Sequence, residues 1–154
     1  MANIGETAPD VAMTTIDGGN WRPSDAKGRK LVVYFYPKDD TPGCTTEAKD
    51  FSALADAYAA ADVLVVGVSK DPPAKHAKFA AKHELKIQLV SDLDGSVCEA
   101  WGTWIEKSLY GRQYMGIDRA TFLIDRDGRI NQIWRKVKVK GHAEIVLEAA
   151  KALG

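Results

Sequence analysis

The sequence predicts an α/β fold in which helices flank a mixed central β-sheet. Residues 31–36 form a continuous apolar run rich in β-branched and aromatic side chains, a pattern typical of a strand buried on both faces, and residues 63–69 predict a second buried strand. A helix is predicted after each strand. Because strands and helices alternate in this order, parallel neighbouring strands joined by right-handed crossovers are favoured.

The first predicted element is a β-hairpin over residues 11–22, because residues 17–19 read Asp-Gly-Gly, a strong turn signal. The strand at residues 31–36 comes next. Pro37 ends it, since proline has no N–H to donate to a sheet ladder. A polar loop then follows.

A helix is predicted to begin near Thr41. This residue is a good N-cap because its hydroxyl can accept a hydrogen bond from an unpaired amide of the first turn. Pro42 suits the first helical position, where its missing N–H costs nothing. A core-facing stripe then recurs at helical spacing: Ala48, Phe51, Leu54 with Ala55, and Tyr58. Cys44 therefore lies in the first turn of this helix.

The second half of the chain continues the alternation and ends with an antiparallel pair. The predicted order is a strand at 63–69, a helix at 72–83, a strand at 88–91, a helix at 95–101, strands at 121–125 and 129–137, and a helix at 142–150. We expect Ile145, Val146 and Ala149 to form the inner face of the last helix. This is the outline of a thioredoxin-like fold with an N-terminal β-hairpin, formed by one domain over residues 1–154.

Composition excludes several classes of function. The 154 residues include 21 basic and 21 acidic side chains, so no positive excess favours nucleic acid or an anionic membrane. The longest apolar run, residues 31–36, is far too short to span a bilayer. The first residues lack the pattern of a secretory signal, which makes the cytoplasm the expected location.

Only two cysteines are present, Cys44 and Cys98, which is not a disulfide framework. Each is either a buried residue of the core or a reactive thiol that takes part in chemistry. The helix N-terminus at Cys44 favours a thiolate. An unperturbed thiol, with a pKa of about 8.5, is only a few per cent ionised at pH 7. Since an exposed helix end contributes only about 0.3–1 kcal/mol, a second cation is expected near Cys44.

Residues 37–44, PKDDTPGC, supply the surroundings of that sulfur. Pro37 is expected to shield it from water, and Thr41 places a hydroxyl within reach. Gly43 leaves access for a small substrate. The free backbone amides of the helix start can hold the oxygen atoms of a small substrate.

Residues 34–47, YFYPKDDTPGCTTE, closely resemble the active-site segment of peroxiredoxins. In that family a proline, a threonine and the peroxidatic cysteine have the spacing of Pro37, Thr41 and Cys44. The family's active-site arginine precedes a late core strand, and Arg119 matches it within GIDRATFLID. Arg119 is therefore the expected second cation.

The resemblance covers nearly the whole chain. Residues 5–10 are similar to the family's opening segment, and residues 97–104 and 137–142 resemble the Q-type, or bacterioferritin-comigratory, subgroup. The resemblance implies that Cys44 attacks H2O2 or an alkyl hydroperoxide and becomes a sulfenic acid, while Thr41 and Arg119 stabilise the charge on the reacting oxygens. It also implies reduction by thioredoxin or another thiol, no metal, haem or flavin, and a monomer rather than a weak homodimer.

One position departs from the subgroup. Many Q-type relatives carry a resolving cysteine five residues after the peroxidatic one, where this chain has Lys49. Cys98 is then the only internal candidate, either as a resolving cysteine or as a buried free thiol, and we favour a one-cysteine cycle with an external thiol. Glu47 either hydrogen-bonds within the site or complements the helix dipole.

The remaining polar residues give weaker signals. Lys38, Asp39 and Asp40 are expected to be solvated loop charges. The three histidines have no metal-ligand spacing and are predicted to lie at the surface: His76, His83 and His142.

Three other functions also depend on a reactive cysteine. A thiol–disulfide oxidoreductase usually needs a Cys-x-x-Cys pair, but position 47 is Glu. A cysteine phosphatase needs an arginine soon after its nucleophile, and residues 45–50 contain none. A redox sensor or thiol-dependent chaperone could use the same sulfenic acid as a signal.

Overall fold

The computed structural model describes residues 2–154 and is organised around a seven-stranded mixed sheet. The strands are β1 (Met13–Thr15), β2 (Asn20–Trp21), β3 (Lys30–Phe35), β4 (Val63–Ser69), β5 (Gln88–Ser91), β6 (Trp104–Leu109), β7 (Arg112–Ile117), β8 (Ala120–Ile124) and β9 (Ile130–Trp134). The helices are α1 (Pro42–Ala53), α2 (Ala55–Ala60), α3 (Pro73–Lys82), α4 (Ser96–Trp101) and α5 (His142–Ala152), with a short 3-10 helix at Pro23–Ala26.

The sheet has the strand order β2-β1-β5-β4-β3-β8-β9. Strands β3, β4 and β5 run parallel, whereas β8 is antiparallel to β3. All six residues of β3 are buried, as its continuous apolar run predicts. The predicted mixed sheet, its N-terminal β-hairpin and the two central strands are confirmed.

Two core layers cover the two faces of the sheet. Alternate β3 residues Val32 and Tyr34 pack in one layer with Cys44 of α1 and with side chains of α3 and α5. Residues Leu31 and Val33 face the other layer, which holds Cys98 of α4 and the N-terminal hairpin. The two cysteines therefore lie on opposite faces of the central sheet.

A second, two-stranded sheet was not predicted. Strands β6 and β7 pair antiparallel over the whole of Trp104–Leu109 and Arg112–Ile117. Most of their residues are exposed or half-buried, so the alternation of buried and exposed residues that signals a strand is missing. The reversal occurs at Tyr110 and Gly111, both of which have positive φ.

Three predicted details are wrong. The helical stripe at residues 48–58 is split between α1 and α2 at Leu54. The strand at residues 129–137 ends at Trp134, and Lys136 has a left-handed φ of 47° that a strand cannot continue through. On α5 the side chain of Ile145 is 57% exposed, while Val146 and Leu147 are buried.

Candidate active site

Cys44 lies in the first turn of α1, as predicted, and is only 1% exposed. Thr41 is the N-cap, with φ −91° and ψ 155°, and Pro42 is the first helical residue. The first helical hydrogen bond is donated by the Thr45 amide to the Thr41 carbonyl at 2.8 Å. The amides of Gly43 and Cys44 precede that bond, so they have no helical acceptor of their own.

Arg119 supplies the cation expected beside Cys44. Its Nη2 atom lies 3.4 Å from the Cys44 Sγ, and its Nη1 atom donates to Glu47 Oε1 at 2.7 Å. Burial opposes the charge of the guanidinium, but the neighbouring Glu47 and Cys44 outweigh it and raise the pKa of Arg119. The arginine therefore keeps its positive charge against the sulfur.

Sheet register explains how two residues far apart in sequence meet. Phe35, at the end of β3, pairs with Ala120, at the start of β8. The loop leading to Cys44 leaves one of these strand ends, and Arg119 immediately precedes the other. A Cβ on Gly43 would lie 3.2 Å from Arg119 Nη2, so this glycine leaves room for the arginine as well as for substrate.

Glu47 belongs to the same cluster. Its side chain is 1% exposed, so the residue is not a surface acid that merely complements the helix dipole. Oε1 accepts from Arg119, whereas Oε2 has no hydrogen-bond partner among residues 2–154. Burial raises the pKa of Glu47 to about 7, although Arg119 partly opposes this shift.

This raised pKa predicts a pH-dependent stability difference between the wild type and Glu47→Gln. Between pH 4.5 and 7 the folded protein holds a proton that the unfolded chain has lost, so the wild type loses stability as pH rises, by about 3 kcal/mol in total. Glu47→Gln has no carboxyl to titrate at this position, so its stability does not fall with pH for this reason. Urea unfolding at several pH values measures the free energy of unfolding of both proteins. The value for the variant minus the value for the wild type should increase up to about pH 7 and stay constant above about pH 8. Exposed Glu99→Gln is the control, and a Glu47→Gln difference that does not vary with pH would contradict the assignment.

Thr41 and Pro37 differ in how far the structure supports their predicted contacts. The Thr41 hydroxyl donates to the Lys38 carbonyl at 2.9 Å and makes no capping bond to a first-turn amide, so that part of the prediction is wrong. Since its proton is used there, the hydroxyl oxygen is left free to accept a hydrogen bond. Pro37 is exposed at the end of the strand, and its shielding role stays a prediction.

Cys98 is fully buried in α4, where its amide donates to Asp92 Oδ2 at 2.8 Å. Burial and the adjacent Asp92 raise the pKa of Cys98 to about 12. Its thiol therefore stays protonated at neutral pH, and the sheet separates it from Cys44. Both cysteines are free in this structure.

Two histidines and one aspartate were wrongly expected at the surface. Asp39 and His76 have fully buried side chains that contact each other, with Nδ1 2.6 Å from Oδ2. His142 is also buried, and burial, followed by the charge of Arg119, lowers its pKa to about 4. A signal for Asp39 was available, because polar groups at the carboxyl ends of parallel strands gather at one edge of a sheet.

The oxygen and nitrogen atoms of Asp39, Asp71 and His76 lie within 4.8 Å of one another, close enough for a metal. The carboxylate oxygens of Asp71 already accept bonds from Ser69, from the Asp39 amide and from Lys75. Both oxygens of Asp39 are also paired. This arrangement fits a satisfied hydrogen-bond network better than a metal site.

A family model and curated relatives all match this chain to one family of proteins. The model of the AhpC/TSA family matches residues 4–133. Peroxiredoxin Bcp of Bacillus subtilis is 47% identical over 148 residues, covering 96% of this chain and 94% of that protein. Peroxiredoxin Bcp of Escherichia coli is 42% identical over 147 residues, with the same two coverages of 96% and 94%.

Solved structures agree. The Xanthomonas campestris bacterioferritin comigratory protein, studied for its alkyl peroxide reduction activity, superposes with a TM-score of 0.90 at 42% identity, over 99% of this chain and 97% of that one. A cysteine-to-serine mutant of Xylella fastidiosa PrxQ gives 0.92 at 40% identity, over 99% and 97% of the two chains.

The chain therefore belongs to the AhpC/TSA family, and its thioredoxin-like fold agrees with that class of protein. Within that family it is a peroxiredoxin of the Q type, a thiol-dependent peroxidase that acts on hydroperoxides and is reduced by thiols. The predicted family, fold and activity are confirmed. None of the helices among residues 2–154 is long and apolar enough to cross a membrane.

Proposed function

We propose that Cys44 is the peroxidatic nucleophile and that a thiol from outside the chain completes the cycle. The observation that carries this proposal is the 3.4 Å contact between Cys44 Sγ and Arg119 Nη2 at the N-terminus of α1. A cation and a helix N-terminus both favour a thiolate, the form of sulfur that attacks.

In the oxidation step the Cys44 thiolate attacks the terminal oxygen of the hydroperoxide and the O–O bond breaks. The sulfur becomes a sulfenic acid, and the leaving oxygen takes a proton to become water or an alcohol. Arg119 and the free amides of Gly43 and Cys44 stabilise negative charge as the O–O bond lengthens. The lone pairs of the Thr41 hydroxyl accept the O–H of the incoming hydroperoxide and orient it.

An open pocket of about 450 Å³ adjoins this site. Arg119 lines it together with Ile105, Tyr114 and Val137, so β6 and β7 supply one wall. Most of the remaining lining is charged, with Glu106, Lys107, Asp118 and Lys136, so the pocket offers a mainly polar approach to Arg119.

In the reductive step an external thiol attacks the sulfenic sulfur, releases water and forms a mixed disulfide, and a second thiol then frees Cys44. Thioredoxin is the reductant we propose, because it supplies both thiols in one protein. Cys98 is proposed to be a structural thiol, since it lies behind the sheet and stays protonated. A monomer and a cytoplasmic location stay predictions.

The test is mass spectrometry of the wild type and of Cys98→Ala after one equivalent of hydroperoxide, with a sulfenic acid trap. We expect one trap adduct on the Cys44 sulfur in both proteins, to the same extent. A cross-linked Cys44–Cys98 peptide in the wild type would overturn the one-cysteine cycle. An unmodified Cys44 after the peroxide has been consumed would overturn the nucleophile assignment itself.

A further inference from the structure

The loop between β3 and α1, residues 37–41, is fixed to the rest of the protein by a buried polar network. We call these residues the active-site loop, because they lead into the first turn of α1, which contains Cys44. The Tyr36 hydroxyl donates to Asp39 Oδ1 at 2.5 Å, and His76 Nδ1 lies 2.6 Å from Asp39 Oδ2. The Asp39 amide donates to Asp71 Oδ2 at 2.8 Å. One aspartate of the loop is thus held by the residue after β3, by α3 and by the segment after β4.

The hydrogen bond between Asp39 and His76 is short and needs a proton between the two side chains. His76 Nε2 lies 3.0 Å from the Val90 carbonyl, which can only accept, so Nε2 carries a proton. A second proton must then lie between Nδ1 and the Asp39 carboxylate. Both side chains are fully buried, so separating them would leave buried polar atoms without a hydrogen-bond partner, which is unfavourable.

A second, exposed anchor lies beside the first. Asp40 pairs with Lys82 Nζ at 2.7 Å and with His83 Nε2 at 2.9 Å, both at the C-terminal end of α3. Its φ of 61° is left-handed, a conformation that a non-glycine residue keeps only when its surroundings impose it. The active-site loop is thus held against α3 in a conformation that it would not favour by itself.

Thiol exchange requires this loop to move. Cys44 is 1% exposed, whereas a mixed disulfide places a second sulfur about 2 Å from the first, with Cβ atoms about 4 Å apart. The cysteine of a protein reductant cannot reach that geometry while the Cys44 side chain remains buried. Peroxide attack has the opposite requirement, because it depends on Cys44, Arg119 and the helix amides staying in place.

We propose that the Asp39–His76 pair is a positioning latch that holds the active-site loop closed for peroxide attack and must release before a thiol reaches the oxidised sulfur. The proposal rests on the proposed role of Cys44. A weaker latch lowers the population of the closed state and raises that of the open state. The rate of Cys44 oxidation must therefore fall while the rate of its reduction rises. General damage to the fold would not produce these opposite changes.

The test measures the two half-reactions separately in Asp39→Ala and His76→Leu, in a Cys98→Ala background and below their unfolding temperatures. Oxidation by H2O2 is followed in a single turnover, and the preformed sulfenic acid is then mixed with reduced thioredoxin. We expect oxidation to slow and reduction to accelerate, each by about fivefold or more, because each rate follows the population of its competent state. The double variant should resemble the single variants, since both remove the same bond.

Asp62→Asn is the matched control. Asp62 also holds two partners, Arg29 and Arg126, but it lies just before β4, at the opposite ends of the strands. It should leave both rates unchanged. If the latch variants slow both half-reactions or change neither, the latch is overturned. If the wild type is not oxidised at Cys44 at all, it is the proposed function that fails.

Discussion

Replacing Cys44 with serine is expected to reduce hydroperoxide turnover to the background level. A serine hydroxyl is not ionised at neutral pH, so neither Arg119 nor the helix N-terminus has an anion to stabilise, and no sulfenic acid can form. Peroxide-dependent oxidation of reduced thioredoxin measures this loss directly. Thermal unfolding of the same variant checks that the fold is intact.

Cys98→Ala is the variant to compare with Cys44→Ser. Cys98 packs in the other core layer, with a thiol that burial and Asp92 keep protonated, so its removal should cost stability rather than turnover. Activity that survives in Cys44→Ser and disappears in Cys98→Ala would reverse the roles assigned to the two cysteines. A large loss in both variants would instead indicate a two-cysteine cycle.

The sequence predicted the centre of the fold well because burial on both faces leaves a distinct pattern. The strands predicted at residues 31–36 and 63–69 correspond to β3 and β4 within one residue. Strands β6 and β7 were missed because they are largely exposed and pair mainly with each other. A strand that buries neither face has no pattern from which it can be recognised.

The site was predictable where its residues are contiguous. Thr41 and Cys44 share one helix start, and local rules for helix capping placed them correctly. Arg119 was located only through the family resemblance, since its contact with Cys44 depends on the register of β3 against β8. Local sequence carries no record of such a register.

The buried Asp39–His76 pair shows a different limit. His76 and Phe79 lie one turn apart on α3 and both face the core, so the helical stripe could have indicated a buried histidine. Its partner could not have been identified in this way. Which carboxylate meets the ring depends on how the active-site loop folds back over α3, which only the three-dimensional structure shows.

The second large effect is expected at Arg119, where Arg119→Gln should lower the rate constant for Cys44 oxidation by about 10²–10³, the cost of losing one donor to a developing oxyanion. Arg119→Lys should restore only part of this loss. The guanidinium donates to Glu47 through Nη1 while Nη2 lies against Cys44, and a single ammonium group cannot reproduce that planar fork. Single-turnover oxidation by H2O2 measures both variants.

Arg135→Gln is the matched control for these measurements, because Arg135 pairs with the neighbouring Asp118 at 3.8 Å and makes its other bond to the Gly102 carbonyl, away from Cys44. If Arg119→Lys oxidises as fast as the wild type, charge alone is sufficient and the two-point geometry has no role. Arg119→Gln also leaves buried Glu47 without its cation, which must raise the pKa of that carboxyl above its wild-type value. Combining Arg119→Gln with Glu47→Gln should therefore recover stability near neutral pH without recovering the rate of oxidation, which separates the structural contribution of the ion pair from its contribution to chemistry.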